Sequence, residues 1–457
     1  MGSAALPRVA VIGAGSSGIA ALKALRDRDL DVRCYEASDR IGGNWVYENV
    51  NGMSACYRDL HINTSRLRMA YDDLPMPEDY PDYPRHDQIA AYFEQHVDTF
   101  GLRPLIRFST RVEHAERAAD GVWTLTASDG TTARYDALVV ASGHHWDPRW
   151  PEPAFPGSDT FQGVQMHAHE YRNPDDLQDR DVVVLGMGNS AMDIAVEASY
   201  VARNVHLGAR RGAHVIPKYL FGRPTDQLGS WVNPRIPFEL RRRLVAKLMR
   251  LYVGDMTQFG LPAPDHEFGQ AHPTISGRIL DRITHGAVAV HPNISRLDGD
   301  EVEFEDGTRV HADVVVYCTG YRITFPFFDE AFISAPDNRI DLYRRVFHPE
   351  IPNVFFVGLL QPLGAIMPLA EEQGRWIAEH LTGGYALPEP QELRAFIDAD
   401  FAAMQRRYVA SKRHTIQVDF DDYLFEVRRE RRRGAQRAKA QGHPLPVPAL
   451  ALEGAAA

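Results

Sequence analysis

The stretch VVVLGMGNSAMDIAVE, residues 182–197, has the pattern of a buried strand, a tight glycine turn and the start of a helix. The N-terminal stretch VAVIGAGSSGIAALKAL, residues 9–25, has the same design. One mononucleotide-binding fold of this kind binds one dinucleotide. The two stretches therefore predict an α/β protein with two Rossmann-like dinucleotide-binding domains.

The segments downstream of the two glycine turns are also alike. GVWTLTASDGTTARYDALVVASG (121–143) and DEVEFEDGTRVHADVVVYCTG (300–320) each predict a β-meander with an Asp-Gly turn that runs into an apolar strand. Two unrelated α/β domains with similar turn chemistry are the alternative. The repeated order of elements favours one supersecondary plan used twice.

The first copy carries residues that suit FAD or NAD. Gly13, Gly15 and Gly18 have G-x-G-x-x-G spacing, which lets the backbone approach a pyrophosphate at the helix N-terminus, beside Ser17. The next strand, VRCYE, ends in Glu36, at the spacing of an acid that accepts hydrogen bonds from an adenosine ribose. A carboxylate there repels a 2′-phosphate. Glycines that serve only tight turns are the alternative.

The second copy carries the opposite charge at the ribose end. Its turn is formed by Gly186 and Gly188, with Ala191 in the third position, and Asn189 and Ser190 open the helix. The following strand, NVHLGARR, has no acid at the ribose position and instead ends in Arg210 and Arg211. Guanidinium groups suit a 2′-phosphate, so this copy predicts NADPH. Because a second nicotinamide cofactor would only duplicate the hydride carrier predicted for the second copy, the first copy predicts FAD and not NAD.

Bulk composition excludes several classes of protein. The chain has 457 residues and a net charge of −11, which argues against sequence-independent nucleic-acid binding. It has no apolar run of membrane-spanning length and no export leader, so a cytoplasmic protein without membrane contact is expected. Its three cysteines, Cys34, Cys56 and Cys318, are far apart, so they form neither a disulfide framework nor a Cys-x-x-Cys pair.

Four further stretches resemble the flavin-containing monooxygenases. They are IGGNWVY (41–47), LHINTSRLRMAYDDLPMPEDYPDYP (60–84), FQGVQMHAHEY (161–171) and YCTGYRITFPF (317–327). The third fits the family signature F-x-G-x-x-x-H-x-x-x-(F/Y), and CTGY is similar to the family's A-T-G-Y box except for Cys318. The resemblance runs from about residue 8 to residue 373. The tail, which ends in GHPLPVPALALEGAAA, is too short and proline-rich to be the apolar anchor of animal members.

This resemblance implies a reaction and a set of site residues. In the family, NADPH reduces FAD, dioxygen adds to flavin C4a, and the resulting (hydro)peroxide oxygenates soft nucleophiles such as nitrogen- or sulfur-containing small molecules. Asn63 matches the family asparagine near the flavin edge and is the candidate catalytic residue; a side-chain turn to the backbone is the alternative. Further candidate cofactor contacts are Gly43, Asn44, Trp45, His61, Thr64, Gln361 and Gln373.

The resemblance also implies a domain order. Residues 1–161 form the first part of the FAD domain, residues 162–315 form an inserted NADPH domain, and residues 316–457 form the FAD return segment and a helical tail. His167 belongs to the linker signature and is expected to couple the domains, with no catalytic or metal role for it or His169. The basic run RRERRRGAQRAK (428–439) predicts a solvated helix.

Three other functions compete with oxygenation at nitrogen or sulfur. Baeyer-Villiger oxidation of ketones to esters or lactones is the main alternative, although its dedicated enzymes usually have tryptophan where this linker has Tyr171. A disulfide reductase needs a cysteine pair that the chain lacks, and nothing positive supports a nucleotide sensor.

The expected partners are dioxygen and a small molecule, and the selection of the small molecule involves loops such as KYLFGRPTDQLGSW (218–231). A homodimer is compatible with the family.

Overall fold

The computed structural model describes residues 5–228, 238–408 and 415–447. The last three residues of the 218–231 loop and the end of the chain beyond residue 447 lie outside these ranges. The strands are β1 (Val9–Ile12), β2 (Val32–Tyr35), β3 (Ile106–Arg107), β4 (Val112–Arg117), β5 (Trp123–Ala127), β6 (Thr132–Tyr135), β7 (Ala137–Val140), β8 (Asp147–Pro148), β9 (Val164–His167), β10 (Asp181–Leu185), β11 (Asn204–Gly208), β12 (Val215–Ile216), β13 (Tyr219–Leu220), β14 (Arg223–Pro224), β15 (Thr274–Ile275), β16 (Ala289–His291), β17 (Ile294–Asp298), β18 (Glu301–Phe304), β19 (Arg309–His311), β20 (Val314–Tyr317), β21 (Tyr321–Arg322), β22 (Val354–Phe356), β23 (Gln361–Leu363) and β24 (Gln417–Asp419). The helices are α1 (Ser16–Arg26), α2 (Arg66–Met69), α3 (His86–Thr99), α4 (Asn189–Ala198), α5 (Thr225–Leu228), α6 (Phe238–Val253), α7 (Ile279–Thr284), α8 (Met367–Leu381), α9 (Pro390–Arg407) and α10 (Phe420–Ala440).

Two parallel sheets confirm the predicted pair of Rossmann-like domains. The first has the order β22-β7-β1-β2-β3 and the second the order β16-β11-β10-β20-β9. In each sheet the strand before the glycine turn lies centrally, and the antiparallel meanders β4-β5-β6 and β17-β18-β19 occupy matching places in the chain. The Asp-Gly turns of the meanders put Gly130 and Gly307 at φ 79° and 82°, which glycine adopts without strain.

The central strands are apolar throughout because both faces of each sheet are covered. Every residue of β1 and of β10 is buried. Covered faces remove the need for alternating polar residues, which explains the continuous apolar runs in the sequence. Buried side chains form separate hydrophobic clusters on the two faces of each sheet.

The second domain is inserted into the first at two neighbouring linkers. The second sheet is built from chain between β9 and β20, and β22 then returns to the first sheet. The linker strands β8 and β21 pair antiparallel, and Arg322 bonds Asp147 at 2.8 Å. β20 ends at Tyr317, two residues beyond the expected domain boundary at residue 315 (317 − 315 = 2).

The C-terminal helices pack on the first domain. A Cβ on Gly374 of α8 would lie 2.9 Å from the Cα of Ala21, so this glycine allows α8 and α1 to pack closely. Helix α10 lies against α8, where Arg431 pairs with Glu372 and Glu379 and keeps only 19% of its side chain exposed. The basic run forms a helix in which most residues are exposed, as predicted, and its inner side is bound to acidic residues of α8 through Arg431.

Membrane-spanning structure was not expected. Within the described ranges, no helix combines the length and the apolar character that crossing a bilayer requires.

Candidate functional site

A large cleft lies between the two domains. Its volume is about 900 Å³, and its wall includes both glycine turns, from Gly13 to Ser17 and from Gly188 to Ala191. Ligands of parallel α/β sheets bind at the carboxyl ends of the strands, which is where both turns lie. The cleft therefore joins the two predicted dinucleotide sites in one cavity.

The first glycine turn packs against the backbone that follows β7, so closely that no side chain fits there. Gly13 has φ 99°, and a Cβ there would lie 2.7 Å from the carbonyl oxygen of Ala141. Helix α1 begins after Gly15 without a side-chain cap, so its first backbone N–H groups keep their hydrogen-bonding capacity. This arrangement fits the pyrophosphate of a dinucleotide.

Glu36 lies in the cleft wall directly after β2, as the ribose position requires. Its side chain is buried, and its two carboxylate oxygens accept hydrogen bonds from Ala14 N at 2.6 Å and Ser38 N at 2.7 Å. Burial raises the pKa of Glu36, while these backbone donors oppose the shift. Each oxygen retains a second lone pair, so the carboxylate is oriented and still able to accept from a ribose hydroxyl.

The second glycine turn repeats this construction. A Cβ on Gly186 would lie 2.9 Å from the carbonyl oxygen of Cys318, and α4 begins after Gly188 without a side-chain cap. Asn189 is held in place because its Oδ1 accepts from Ile275 N at 2.8 Å. The turn and the helix N-terminus therefore fit a second pyrophosphate.

The two arginines after β11 differ in their surroundings. Arg211 donates to Asp265 at 2.5 Å, and both side chains are partly exposed. Arg210 is exposed and has no ion pair within the described part of the chain. Arg210 is therefore the better placed of the two to bind a 2′-phosphate.

Asn63 lies in the cleft wall, between buried Ile62 and buried Thr64. Across the described residues, its side-chain amide makes no hydrogen bond, so the alternative of a side-chain turn to the backbone is not observed. A neutral amide offers both a donor and an acceptor to a ligand. Asn63 thus presents an available amide to the cavity.

Most of the other predicted cofactor contacts also line the cleft. Those in its wall are Gly13, Gly15, Ser17, Glu36, Gly43, Asn44, Trp45, His61, Asn63, Thr64, Gly188, Asn189, Ser190 and Gln361. Those outside its wall are Gly18, Gly186, Arg210, Arg211 and Gln373. Gly18 packs against the backbone of Gly13, where any side chain would overlap.

Gln373 lies behind the wall, contrary to its expected place beside the flavin. It is fully buried, its Oε1 accepts from Gly358 N at 2.9 Å, and its Nε2 donates to Tyr423 at 2.7 Å. Gly358 lines the cleft, and a side chain there would overlap Ser17. Gln373 therefore supports the wall from behind and connects it to α10.

Several cleft residues were not identified from the sequence. Tyr57 donates to Asp193 at 2.6 Å across the domain boundary, and Lys218 lines the cavity nearby. Ile416 and Asp419, from the start of the C-terminal region, also line it because β24 pairs with β23. No local sequence motif marks these residues, and only Lys218 lies in a loop that the sequence links to substrate selection.

The linker tyrosine is part of a buried pair. Tyr171 donates to Glu197 of α4 at 2.5 Å, and its ring lies 5.8 Å from that of Tyr57. Burial raises the pKa of Glu197 to about 7, and the hydrogen bond from Tyr171 opposes this shift. The linker thus fixes the helix of the second glycine turn.

Tyr171→Phe is expected to lower the melting temperature, and by more at about pH 8 than at about pH 5. The pKa of Glu197 in the folded protein is about 7, so protonation of its carboxyl group stabilises the fold. This stabilisation is fully present below the usual glutamate pKa and is lost as the pH rises through about 7. Without the phenol, the buried carboxylate costs about 1–3 kcal/mol more at the higher pH.

Tyr35→Phe is the matched control for this prediction. It removes a buried phenol whose partner is the Tyr135 hydroxyl at 2.7 Å. Since no carboxylate is involved, its stability loss should be the same at both pH values. Equal losses for Tyr171→Phe at both pH values would contradict the assignment of the ionised pair.

Metal-binding side chains were not expected, and the linker histidines have other partners. His167 Nδ1 accepts from His169 N at 3.0 Å, and His169 Nε2 bonds Gly52 O at 3.1 Å. The described residues do include one group with suitable donors, formed by Asp181, His311 and Asp313. Asp181 begins β10, at the opposite end of the strand from the glycine turn, and Arg203 already donates to it at 2.6 Å.

Comparisons with known proteins agree with this geometry. Residues 6–433 match the family model described as flavin-binding monooxygenase-like. The chain is 36% identical over 438 residues to flavin-containing monooxygenase 5 of Rattus norvegicus, covering 92% of this chain and 82% of that protein. It is similar to the structure of S-allyl-L-cysteine S-oxygenase from Allium sativum, with 26% identity, a TM-score of 0.71 and coverage of 96% of this chain and 93% of that one.

A more distant structure shares the fold alone. The open structure of cyclohexanone monooxygenase has 20% identity and a TM-score of 0.71, with 96% of this chain and 98% of that chain covered. The family model covers nearly all of the chain, and it agrees with the duplicated fold and the joined cleft. The chain therefore belongs to the flavin-binding monooxygenase-like family.

Proposed function

We propose that this protein is an NADPH- and dioxygen-dependent monooxygenase that oxygenates nitrogen- or sulfur-containing small molecules. The observation that carries the proposal is the cleft that joins both glycine turns and is lined by Asn63, whose amide makes no hydrogen bond to the described residues. FAD would be held by the turn from Gly13 to Ser17 and by Glu36, and NADPH by Gly188, Asn189, Ser190 and Arg210. When bound, FAD would take a hydride from NADPH and supply the electrons that activate dioxygen.

The residues of the chain suit three tasks in this reaction. The N-termini of α1 and α4, where the N-cap residue is glycine, bind phosphates, and Glu36 orients a ribose. The Asn63 amide stabilises reduced oxygen and substrate by hydrogen bonds without offering an acidic proton. Apolar wall residues such as Trp45 and Ile416 limit access of water, which would otherwise divert oxygen to hydrogen peroxide.

Baeyer-Villiger oxidation of ketones is the second candidate. The likeness to cyclohexanone monooxygenase is one of fold and does not favour this reaction. Tyr171, in place of the tryptophan typical of the dedicated enzymes, supports nitrogen or sulfur oxygenation. A substrate panel that includes ketones separates the two.

A cytoplasmic location is also part of the proposal. It is supported by the three cysteines, all of which are free thiols, because thiols persist in reducing compartments. A homodimer remains compatible with the family and is tested by the mass of the purified protein in solution.

The purified protein, after reconstitution with FAD, is expected to be yellow and to oxidise NADPH. Glu36 is the reason to expect FAD and not FMN, because FMN has no adenosine ribose for it to bind. The flavin released by denaturation identifies the cofactor, and product analysis with amines, sulfides and ketones identifies the reaction. A colourless protein after reconstitution would contradict the proposal, and exclusive formation of esters or lactones would favour the second candidate.

A further inference from the structure

The loop that carries Asn63 belongs to the first domain but is held by the second. We define the Asn63 loop as residues 60–66 and the holding segment as residues 215–228. Lys218 of the holding segment donates from Nζ to Ile62 O at 3.3 Å. Asp226 Oδ2 accepts from Ser65 N and from Ser65 Oγ, both at 2.8 Å. These bonds lie on the two sides of the dipeptide Asn63-Thr64.

Asp226 is the stronger of the two attachments. Ser65 is fully buried, so its backbone N–H has no access to water if the carboxylate is removed. Gln227 Nε2 donates to Ser65 Oγ at 3.1 Å, which fixes the hydroxyl as the donor toward Asp226. A charged acceptor for a buried amide forms a stronger bond than a neutral one. Removal of Asp226 therefore leaves a buried donor unsatisfied in the Asn63 loop.

The holding segment also contacts residues 82 and 83 of the first domain. Tyr83 donates to Lys218 O at 2.5 Å, and the Lys218 ammonium lies 4.8 Å from the centre of the Tyr83 ring. Tyr219 donates to Asp82 at 2.8 Å in an exposed position. The segment thus has contacts that hold the domains together and, separately, contacts that hold the Asn63 loop.

We propose that Asp226 and Lys218 are positioning residues through which the inserted domain sets the Asn63 amide in the cleft. The inference rests on the proposed function, because it assigns the docked second domain a role in oxygenation beyond binding NADPH. Oxygen transfer to substrate then requires the contacts between the holding segment and the Asn63 loop, whereas reduction by NADPH requires the two domains to stay docked but does not require these contacts. When the holding contacts are lost, NADPH should still reduce the flavin, but oxygen transfer to substrate should fall.

Asp226→Ala in the FAD-loaded full chain tests the proposal. Backbone hydrogen exchange at Ser65 should become faster by about tenfold or more, because the amide loses its charged acceptor. The coupling, which is the yield of oxygenated product per NADPH consumed, should fall, and hydrogen peroxide should form in place of the product. The anaerobic rate of flavin reduction by NADPH should stay within about twofold of wild type.

Tyr219→Phe is the matched control, since it removes a bond between the same segment and the first domain but leaves the Asn63 loop attached. Its exchange at Ser65 and its coupling should equal those of wild type. Lys218→Met acts on the other side of the loop and is the second variant should Asp226→Ala not fold. It should lower coupling and accelerate exchange around Ile62.

Three results would overturn the inference. They are unchanged exchange at Ser65 in folded Asp226→Ala, faster exchange with unchanged coupling, and an equal loss of coupling in Tyr219→Phe. A wild-type protein that takes up no FAD would contradict the proposed function instead. The exchange measurement would still decide whether Asp226 holds the loop.

Discussion

Asn63→Asp is expected to consume NADPH while losing most oxygenation of substrate. Loss of one hydrogen-bond donor that stabilises developing negative charge typically lowers the rate by about 10²–10³-fold. Here the lost donor is also replaced by a carboxylate, which repels the charge that develops on oxygen as it is reduced. The product formed per NADPH should therefore fall by at least about tenfold, with hydrogen peroxide in its place.

The anaerobic reaction distinguishes this effect from a damaged nucleotide site. Asn63 lies on the first domain, while the second glycine turn and Arg210 are untouched by the substitution, so NADPH should still bleach the flavin at nearly the wild-type rate. The measurements are stopped-flow flavin absorbance without oxygen, followed by product and peroxide assays with oxygen.

Two further variants separate the charge from the missing amide. Asn63→Ala removes the amide without adding charge and should lose less coupling than Asn63→Asp. Asn51→Asp makes the same exchange elsewhere in the cleft wall, where the Oδ1 of Asn51 accepts from Met53 N. If Asn51→Asp uncouples as strongly as Asn63→Asp, the effect belongs to charge in the cavity and not to Asn63.

The fold could be predicted from the sequence because its deciding features are local. Each glycine turn lies within one strand-turn-helix unit, and the dihedral of Gly13 and the close packing of Gly186 explain why glycine stands there. The residues that we propose to contact phosphate follow from the same short stretches. Glu36 and Arg210 come one strand later, at a spacing that the fold fixes.

The residues that support the site could not be predicted in this way. Gln373 bonds Tyr423, fifty positions later in the chain, and no periodicity relates the two. Lys218 and Asp226 approach the Asn63 loop only because the inserted domain docks on the first. Such contacts depend on how separate units pack, and packing between units leaves no short sequence pattern.

The same limit applies to the choice between Arg210 and Arg211, which are adjacent and identical in kind. Asp265, which accepts a hydrogen bond from Arg211, lies 54 positions farther along the chain. An arginine already paired with a carboxylate must give up that bond to bind a phosphate, whereas an exposed and unpaired one does not. We therefore predict the larger effect on NADPH binding for Arg210.

Arg210→Ala is accordingly expected to weaken NADPH binding and leave NADH binding nearly unchanged. A lost charge-assisted hydrogen bond costs about 1.5–3 kcal/mol, which corresponds to about one to two decades in Kd. Arg211→Ala is the matched control and should have the smaller effect, since its guanidinium is shared with Asp265. Titration of wild type and of each variant with both coenzymes gives the dissociation constants that are needed. Equal losses for NADPH and NADH in Arg210→Ala would show that Arg210 does not bind the 2′-phosphate, and a larger loss in Arg211→Ala would mean that this arginine leaves Asp265 when the coenzyme binds.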